Sequence, residues 1–386
     1  METVIKYIWL AMKGIAPRKV CTLLESFSSI EDIYLSRNYT GLANLKSKEI
    51  ELLADKSLKR AENVYRRCIE CGVRIITIED ANYPQLLKET DAPPIVLYAK
   101  GQMLDLNKEF CVGIVGTRQS TSYGERVTMR FGTSLAMKDI VIVSGLALGI
   151  DSIAARAAVR QHKPTLAVLG CGIDIVYPQS NRQLYAEVEK YGMIISEYPP
   201  GTPPATWTFP RRNRIIAGLS KGVIIVEGSK HSGSLITANF ALDYNRDIFA
   251  VPRNIDEVNL DGTNHLIKQG AIPMTCIEDL IEYYPELENR AKTLNGEYFS
   301  YNNEQLQIEE TVQTKSAEKE PIKFSLIKRS NPEEEKILQA IGDESLHIDK
   351  LVEKTGMAVS LLGTKLIMLE IEGVVEQLPG KFYRIK

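Results

Sequence analysis

The chain has 386 residues, an apolar fraction of 44% and a formal net charge of −2, which predicts a soluble protein of two or three globular domains. The near-neutral charge excludes a protein that holds nucleic acid through bulk basicity, so a site for a polyanion must be a local cluster. Apolar runs stay short of the ~20 residues that span a bilayer, and Glu2 is atypical of a secretion signal, which predicts a cytoplasmic protein with no membrane partner.

Cysteine and histidine content argues against a metal centre. The sequence holds six scattered cysteines and four histidines. Cys68 and Cys71 have the spacing of metal ligands, but no second pair of cysteines or histidines stands near them in the sequence. Cysteines inside apolar runs, such as Cys111, are typical of reduced thiols in a cytoplasm. We therefore expect no metal site and no cofactor.

Residues 1–75 predict a small N-terminal domain of short helices, over residues 3–12, 17–25, 29–35, 47–53 and 58–71. Gly14 forms a turn that is followed by a helix start at Pro17. A glycine-bearing turn between short helices presents N–H groups to DNA phosphate in helix-hairpin-helix and related SAM-like units. Such helices also serve as plain packing modules, and the sequence leaves both interpretations open.

From residue 76 to 285, apolar strand-like runs alternate with helix-patterned segments. The predicted strands lie at 95–98, 111–115, 140–143, 165–169, 193–197, 222–227 and 247–251, after a lead-in strand at 73–78. Glycine follows several of these strands just before a helix begins. The alternation predicts an α/β fold with a Rossmann-like, doubly wound, mostly parallel sheet.

Small and polar residues at the ends of these strands predict an anion site. The candidates for phosphate contact are Gly116, Thr117, Arg118, Ser144, Gly145, Ser232 and Gly233. Open α/β sheets bind ligands at the edge where the strands' carboxyl ends meet, and helix N-termini there favour anions. Arg118 adds a planar guanidinium suited to phosphate. Alternatively, Gly113 and Gly116 only permit a tight turn. No Asp or Glu closes the second strand, so the usual signature of NAD is missing.

A run of basic residues begins another predicted helix, directly after a proline-rich loop at 198–204. It comprises Arg211, Arg212, Asn213 and Arg214. On a helix Arg211 and Arg214 share a face while Arg212 diverges, so at most two of the three converge on one ligand. The helix dipole and the guanidinium groups could act on one anion there. The alternative is a solvated basic turn.

The last hundred residues change character. Residues 286–330 are polar and acidic and predict a linker. Residues 331–386 predict a winged helix-turn-helix domain, with helices at 332–341, 348–355 and 359–370 and a hairpin at 374–378 and 382–385. Its presumed recognition helix carries a single lysine, Lys365, and no arginine. This domain could therefore contact DNA or protein.

Five motifs occur in order and together resemble the DprA/Smf family of bacterial DNA-processing proteins. They are GIVGTR at 113–118, SGLALGID at 144–151, VLGCGIDIVYP at 168–178, FPRRNRIIAGLS at 209–220 and SGSLITA at 232–238. Jointly they are far more specific than a single glycine loop. The flanking helical module and the winged helix resemble the longer architecture of this family.

The resemblance implies a protein without catalytic activity that binds single-stranded DNA regardless of sequence. It also implies protection of incoming strands, loading of RecA recombinase during natural transformation, and a homodimer formed through the Rossmann-like domain. Arg118 matches a DNA-contacting arginine of the family, and Lys163 matches a DNA-binding lysine. We expect both to line one furrow with the 211–214 arginines. The sequence departs from the family at Asn245 and Arg253, where family members usually have glycine.

Two other functions remain open on the sequence. Related Rossmann-like folds include phosphoribohydrolases that release bases from nucleoside monophosphates, but the glutamate of their Pro-Gly-Gly-x-Gly-Thr loops is missing from residues 228–233. The carboxylates Asp151, Asp174 and Glu197 stand at strand ends, where they are better suited to holding loops than a metal. The third possibility is an adaptor whose sheet mainly serves as a platform for dimerisation.

Overall fold

The computed structural model describes residues 1–230, 232–256, 261–287, 332–342, 345–357, 361–362, 365–366, 369, 374–378 and 382–385. Two compact units divide the chain, Met1–Glu297 and Tyr298–Lys386. Within the described part of the chain no helix is long and apolar enough to cross a membrane. Nearly all of the linker predicted at 286–330, and much of the recognition helix predicted at 359–370, lie outside the described residues.

The first unit begins with five helices, as the sequence predicts. These are α1 (Glu2–Ala11), α2 (Pro17–Glu25), α3 (Ile30–Leu35), α4 (Ser47–Ala54) and α5 (Lys59–Glu70). Their apolar faces bury Ile8, Leu10 and Leu23 in the same hydrophobic core as strand residues of the sheet. The helices therefore pack against the sheet. The domain boundaries at 75 and 285 stay a prediction.

One nine-stranded sheet forms the centre of this unit. Its strands are β1 (Arg74–Thr77), β2 (Val96–Gly101), β3 (Cys111–Val115), β4 (Val141–Ser144), β5 (Thr165–Leu169), β6 (Met193–Ser196), β7 (Gly222–Ile225), β8 (Asp247–Ala250) and β9 (Ile272–Pro273). They lie in the order β1-β2-β6-β5-β4-β3-β7-β8-β9. Strands β3 to β9 pair in parallel, and β1 and β2 form an antiparallel edge. This confirms the Rossmann-like, mostly parallel sheet.

The strand order reverses next to β3. After β3 the chain builds β4, β5 and β6 on one side, then returns to build β7, β8 and β9 on the other. The helices of this region are α6 (Gln85–Lys88), α7 (Ser122–Met137), α8 (Ile150–Arg160), α9 (Arg182–Tyr191), α10 (Thr208–Leu219), α11 (Gly233–Asp243), α12 (Gly262–Lys268) and α13 (Glu278–Tyr283). In open α/β sheets a ligand crevice lies at the carboxyl ends of the strands at such a switch point. Here it falls between the loops after β3, β4 and β7.

Asn245 lies at the end of α11 in a backbone conformation that few residue types adopt. It follows α11 with a φ of 53°, in the left-handed region, and the N–H of Arg246 donates to the carbonyl of Ala241 at 2.8 Å to close the helix end. Asparagine is among the few residues other than glycine that adopt this conformation readily. Asn245 therefore supplies the left-handed residue at which α11 ends.

A pair of substitutions at this position tests that role. Asn245→Ala should lower the free energy of unfolding by about 1 kcal/mol, because an alanine Cβ is strained at positive φ. Asn245→Gly should leave it nearly unchanged. Urea denaturation of both variants checks this, and equal stability of the alanine variant and the parent would contradict it.

The second unit contains α14 (Pro332–Ile341), β10 (Leu346–His347), α15 (Ile348–Thr355), β11 (Val375–Leu378) and β12 (Phe382–Ile385). Helical residues also lie at 361–362, 365–366 and 369. The strands form a sheet in the order β10-β12-β11 around a core that includes Ile337, Leu351, Leu366 and Tyr383. This order of helices and strands is that of a winged helix. Lys365 forms an ion pair with Glu334 of α14, with Nζ 3.5 Å from Oε1, so a carboxylate offsets its charge.

Candidate nucleic-acid interface

A cleft of about 620 Å³ lies at the carboxyl ends of β3, β4 and β7. Its wall combines the loop after β3, the first turn of α10 and the start of α11. The lining residues include Gly116, Thr117, Arg118, Ala147, Asp151, Tyr177, Thr206, Phe209, Arg212, Asn213, Ser232 and Gly233. The cleft thus forms at the switch point, where the sequence predicts an anion site.

The loop after β3 is fixed by its backbone and presents Arg118 to solvent. Thr117 N–H donates to the carbonyl of Glu227 at 2.8 Å, and Ile150 N–H donates to the carbonyl of Thr117 at 3.2 Å. A Cβ on Gly116 would overlap the Ile150 side chain, so glycine is required for this close approach. The Arg118 guanidinium is exposed, with its Cζ 5.2 Å from the centre of the Phe209 ring. A phosphate and a base could both reach this pair.

Ser144 and Gly145 do not offer polar groups to the cleft as the sequence predicts. Ser144 is only 1% exposed, and its hydroxyl donates to the carbonyl of Ile114 at 2.8 Å. Gly145 N–H donates to Asp151 Oδ2 at 3.2 Å. These two residues hold the loop after β4 in place, and their hydrogen bonds are made within the protein.

Arg212 lies beneath the cleft and organises its floor. It is 4% exposed, its Nη1 donates to the carbonyl of Val168 at 2.6 Å, and its Nε donates to Asn213 Oδ1 at 3.1 Å. Asn213 Nδ2 in turn donates to the carbonyl of Gly233 at 3.1 Å, which fixes the start of α11. Burial lowers the pKa of Arg212 and raises that of Asp151, and their mutual attraction opposes both shifts. Arg212 thus places a positive charge under the cleft.

The contact between Gly145 and Arg212 gives a testable consequence. A Cβ on Gly145 would overlap the guanidinium of Arg212, so Gly145→Ala should displace this buried charge and lower the free energy of unfolding by about 1–3 kcal/mol. Gly233→Ala is the matched control, because nothing lies within 4 Å of a Cβ there. Thermal unfolding of both variants provides the measurement. A Gly145→Ala protein as stable as the control would refute the contact.

Arg211 and Arg214 face away from the cleft. As helical spacing predicts, they share a face, but both meet the carboxylate of Glu197. Arg214 is 4% exposed and also donates from Nη1 to the carbonyl of Ala92 at 2.6 Å. Arg214 is therefore engaged in packing, which is a correction to the sequence-based assignment. Arg211 remains partly exposed on a different surface.

Lys163 lies at the amino ends of the parallel strands, whereas Arg118 lies at their carboxyl ends. It precedes β5, whereas Arg118 follows β3, and β3 and β5 run parallel through β4. A five-residue strand separates the two edges by roughly 17 Å. Lys163 Nζ also lies 2.6 Å from Asp139 Oδ1. The single furrow that the sequence predicts for both residues is therefore absent from the described residues, and Arg118 lies in the cleft without Lys163.

Ser232 and Gly233 line the cleft as predicted. Gly233 is exposed and is the first residue of α11, an 11-residue helix. The first N–H groups of a helix have no intrahelical partner and carry the positive end of its dipole. This end of α11 faces the same space as the Arg118 loop. A phosphate there would meet N–H groups from one side and a guanidinium from the other.

Aromatic side chains complete the cleft, and the sequence-based site did not include them. The rings of Tyr177 and Phe209 lie 5.4 Å apart, and Tyr177 is 41% exposed. Both belong to motifs that the sequence displays, and an aromatic residue directly after a strand-end loop is the signal that could have identified them. Exposed rings next to cationic groups are suited to stacking on bases.

The fold defines an α/β protein of the Rossmann-like class, with a cleft that presents an exposed guanidinium at its switch point and a winged helix as a second unit. The family model described as DNA recombination-mediator protein A matches residues 74–285, and that of the DprA winged helix domain matches residues 324–381. The chain belongs to the DprA/Smf family. The family resemblance of the motifs is thereby confirmed.

Similar proteins include the protein Smf of Synechocystis, 34% identical over 97% of this chain and 97% of that protein. The DNA processing protein DprA of Bacillus subtilis is 43% identical over 65% of this chain and 83% of that protein. The crystal structure of DNA processing protein A from Streptococcus pneumoniae has a TM-score of 0.64 at 33% identity, covering 72% of this chain and 97% of that chain. A structure of the Helicobacter pylori protein that addresses its single-stranded DNA binding mode has a TM-score of 0.51 at 32% identity, covering 55% and 96%.

Proposed function

We propose that this chain binds single-stranded DNA without sequence specificity, protects incoming strands and passes them to RecA recombinase during natural transformation. The observation that carries the proposal is the cleft itself. It brings the exposed Arg118 guanidinium, the start of α11 and the Tyr177–Phe209 pair together in one space of about 620 Å³. The relative from Helicobacter pylori is a single-stranded DNA binder by the subject of its structure.

The chemistry of the cleft fits a single strand better than a duplex. Guanidinium and N–H groups contact phosphate in any sequence, and a ring can stack on any base once the bases are unpaired. In a duplex the base faces are covered by their neighbours, so the exposed ring of Tyr177 and the partly exposed ring of Phe209 would be unused. The arrangement therefore predicts that the protein prefers single-stranded to double-stranded DNA and binds single strands of any sequence.

Fluorescence anisotropy with labelled oligonucleotides tests the proposal. Affinity should be similar for single strands of different sequence and clearly weaker for the matching duplex. The logarithm of affinity should fall linearly with the logarithm of salt, by about 0.7 for each phosphate that the protein neutralises. Equal affinity for duplex and single strand would overturn the proposal.

We propose further that the protein works without catalysis. Glu227 begins the loop after β7. Its side chain is 0% exposed, and its Oε1 lies 3.2 Å from Arg253 Nη1. A buried, ion-paired carboxylate is poorly placed to attack or protonate a nucleoside monophosphate. Incubation with nucleoside monophosphates should accordingly release no free base, and release of base would revive the phosphoribohydrolase alternative.

RecA and a second copy of the chain are the protein partners we propose. The matched family model is described as a recombination mediator, which supports transfer of the bound strand to RecA. The second copy is proposed from the family resemblance of the motifs, which implies a homodimer formed through the Rossmann-like domain. Sedimentation velocity should show a dimer, and the protein should shorten the lag of RecA assembly on single strands covered by a single-strand-binding protein.

A further inference from the structure

A second cavity, which we call the lateral cavity, lies beside the cleft on the other face of α10. It has a volume of about 280 Å³, just below the roughly 300–1,000 Å³ of common ligand sites. The turn at Gly14, the start of α2, Arg60 of α5, Tyr98 of β2, Trp207 and Arg211 lie around it. A space of this size would hold one nucleotide unit.

Two buried hydroxyls on the wall of the lateral cavity, those of Tyr98 and Tyr198, make no hydrogen bond to the described residues. Glu197 Oε1 and Arg211 Nε on the same wall lie 3.5 Å apart and form an ion pair. Tyr98 is 0% and Tyr198 7% exposed, and burial raises the pKa of both phenols, so each hydroxyl keeps its proton. Buried polar groups in native proteins are nearly always paired with protein, water or a ligand. This wall can pair with a ligand that carries both donors and acceptors, as the edge of a base does.

Cationic groups surround the same space. The Arg211 side chain is 37% exposed, whereas that of Arg214 is buried. Both guanidinium groups contact the carboxylate of Glu197. Two guanidinium groups on one carboxylate leave an excess positive charge. Arg60 is exposed, and its side chain forms no ion pair with any residue that the structure describes. These charges favour a phosphate.

The lateral cavity and the cleft lie on different sides of the start of α10. Thr206 and Phe209 line the cleft, whereas Trp207 and Arg211 line the lateral cavity. Residues four apart on a helix lie on one face, so the indole and the Arg211 guanidinium address the same ligand. Trp207 is 59% exposed and contacts the Tyr198 ring edge-to-face, with the ring centres 6.0 Å apart. Phe209 and Trp207 are two residues apart and face different cavities, so a strand that reaches both must pass around the start of α10.

We propose that the lateral cavity binds one further nucleotide of the single strand held in the cleft, with its base on Trp207 and its phosphate between Arg211 and Arg60. This inference rests on the proposed function, because it extends the path of the same strand. It also gives the glycine turn at Gly14 a role. Gly14 has a φ of 69° and places the N-terminus of the nine-residue helix α2 at the cavity wall, where its dipole favours the phosphate.

Tryptophan fluorescence of the full chain tests the proposal. The sequence has two tryptophans, and Trp9 is 3% exposed, so quenching by added DNA reports on Trp207. A long oligothymidylate of about 16 nucleotides should quench the emission, whereas a short one of about 4 that the cleft alone can hold should not. Trp207→Phe should abolish the quenching while retaining most of the affinity.

The double variant Arg60→Ala/Arg211→Ala should weaken binding of the long strand about tenfold and leave the short strand unaffected. Arg66→Ala is the matched control, since Arg66 is an exposed arginine of the same helix α5 outside the cavity lining. Arg211→Lys, which keeps the charge, should retain part of the affinity. Circular dichroism of each variant verifies that it folds. If a variant does not fold, quenching of Trp207 in the parent protein still tests the site.

Failure of the proposed function and failure of the lateral site give different results. If the parent binds no single strand at all, the proposed function fails. If it binds, but Trp207 emission is unchanged and the double variant binds both strands as the parent does, the lateral site alone is refuted. Quenching by thymidine monophosphate as strong as by the long strand would also overturn the proposal, because the cavity would then be a site for free nucleotides.

Discussion

Replacing Arg118 with alanine should weaken the binding of single-stranded DNA about 10- to 100-fold, the largest functional effect we expect from one side chain in the cleft. Hydrogen bonds between charged groups contribute about 1.5–3 kcal/mol, and each 1.4 kcal/mol is a factor of ten in affinity. Arg118 is exposed, and its Cζ lies 5.2 Å from the ring centre of Phe209, so its replacement removes a phosphate ligand and the cation above a stacking ring. The plot of log affinity against log salt should also become shallower, by about 0.7 for each phosphate that the variant no longer neutralises.

Lys163→Ala is the matched control for this experiment. Both residues carry one positive charge, so an effect that follows net charge alone would be equal in the two variants. Lys163 instead lies at the far edge of the sheet, with its Nζ 2.6 Å from Asp139. We expect its replacement to change affinity less than threefold, or about 0.6 kcal/mol. An equal decrease in affinity for both variants would show that the strand does not follow the cleft that contains Arg118.

Replacing Arg253 with methionine should lower the free energy of unfolding by about 3–5 kcal/mol, the largest effect on stability we expect. The side chains of Arg253 and Glu227 are 2% and 0% exposed, with Nη1 3.2 Å from Oε1. Removing one partner of a buried ion pair leaves an uncompensated charge in the interior. Arg253 Nη1 also donates to Thr121 Oγ1 at 3.2 Å, and Glu227 Oε2 accepts from Thr121 N–H at 3.1 Å. The pair therefore holds the start of α7 behind the Arg118 loop.

The double variant Glu227→Gln/Arg253→Met tests whether the lost stability comes from the unpaired charge or from lost packing. Glutamine keeps an acceptor for Thr121 N–H and removes the charge, so the double variant should recover part of the stability that the single variant loses. Urea denaturation of the parent and the variants gives the comparison. A double variant as unstable as Arg253→Met would mean that packing of the Arg253 side chain over the Tyr123 ring, with its Cζ 5.0 Å from the ring centre, matters more than the ion pair.

Asn245 and Arg253 meet different structural requirements. Asn245 meets a requirement of the local backbone, the positive φ with which the chain leaves α11. Arg253 satisfies a requirement of distant residues, because Glu227 arrives from another strand end. The first could be understood from sequence and turn chemistry alone, and the second depends on which strands are neighbours.

The sequence by itself determined the order in which strands and helices follow one another along the chain, and it placed the glycine loops at strand ends. These are local properties, since periodicity, chain reversal and a helix start depend on residues within a few positions of one another. For this reason Gly116, Thr117, Arg118, Ser232 and Gly233 were found at the cleft, where the sequence predicts them. The sequence could also have shown that Lys163 lies at the opposite ends of the strands from Arg118. Lys163 precedes β5, whereas Arg118 follows the parallel strand β3.

Only the tertiary structure decided which polar groups remain available for a ligand. Ser144 is satisfied by the carbonyl of Ile114, and Arg214 by Glu197 and the carbonyl of Ala92. These partners come from elements distant in sequence, and the strand order that joins them is set by packing of the whole sheet. A side chain's exposure and its partners depend on such long-range packing, which no local pattern contains.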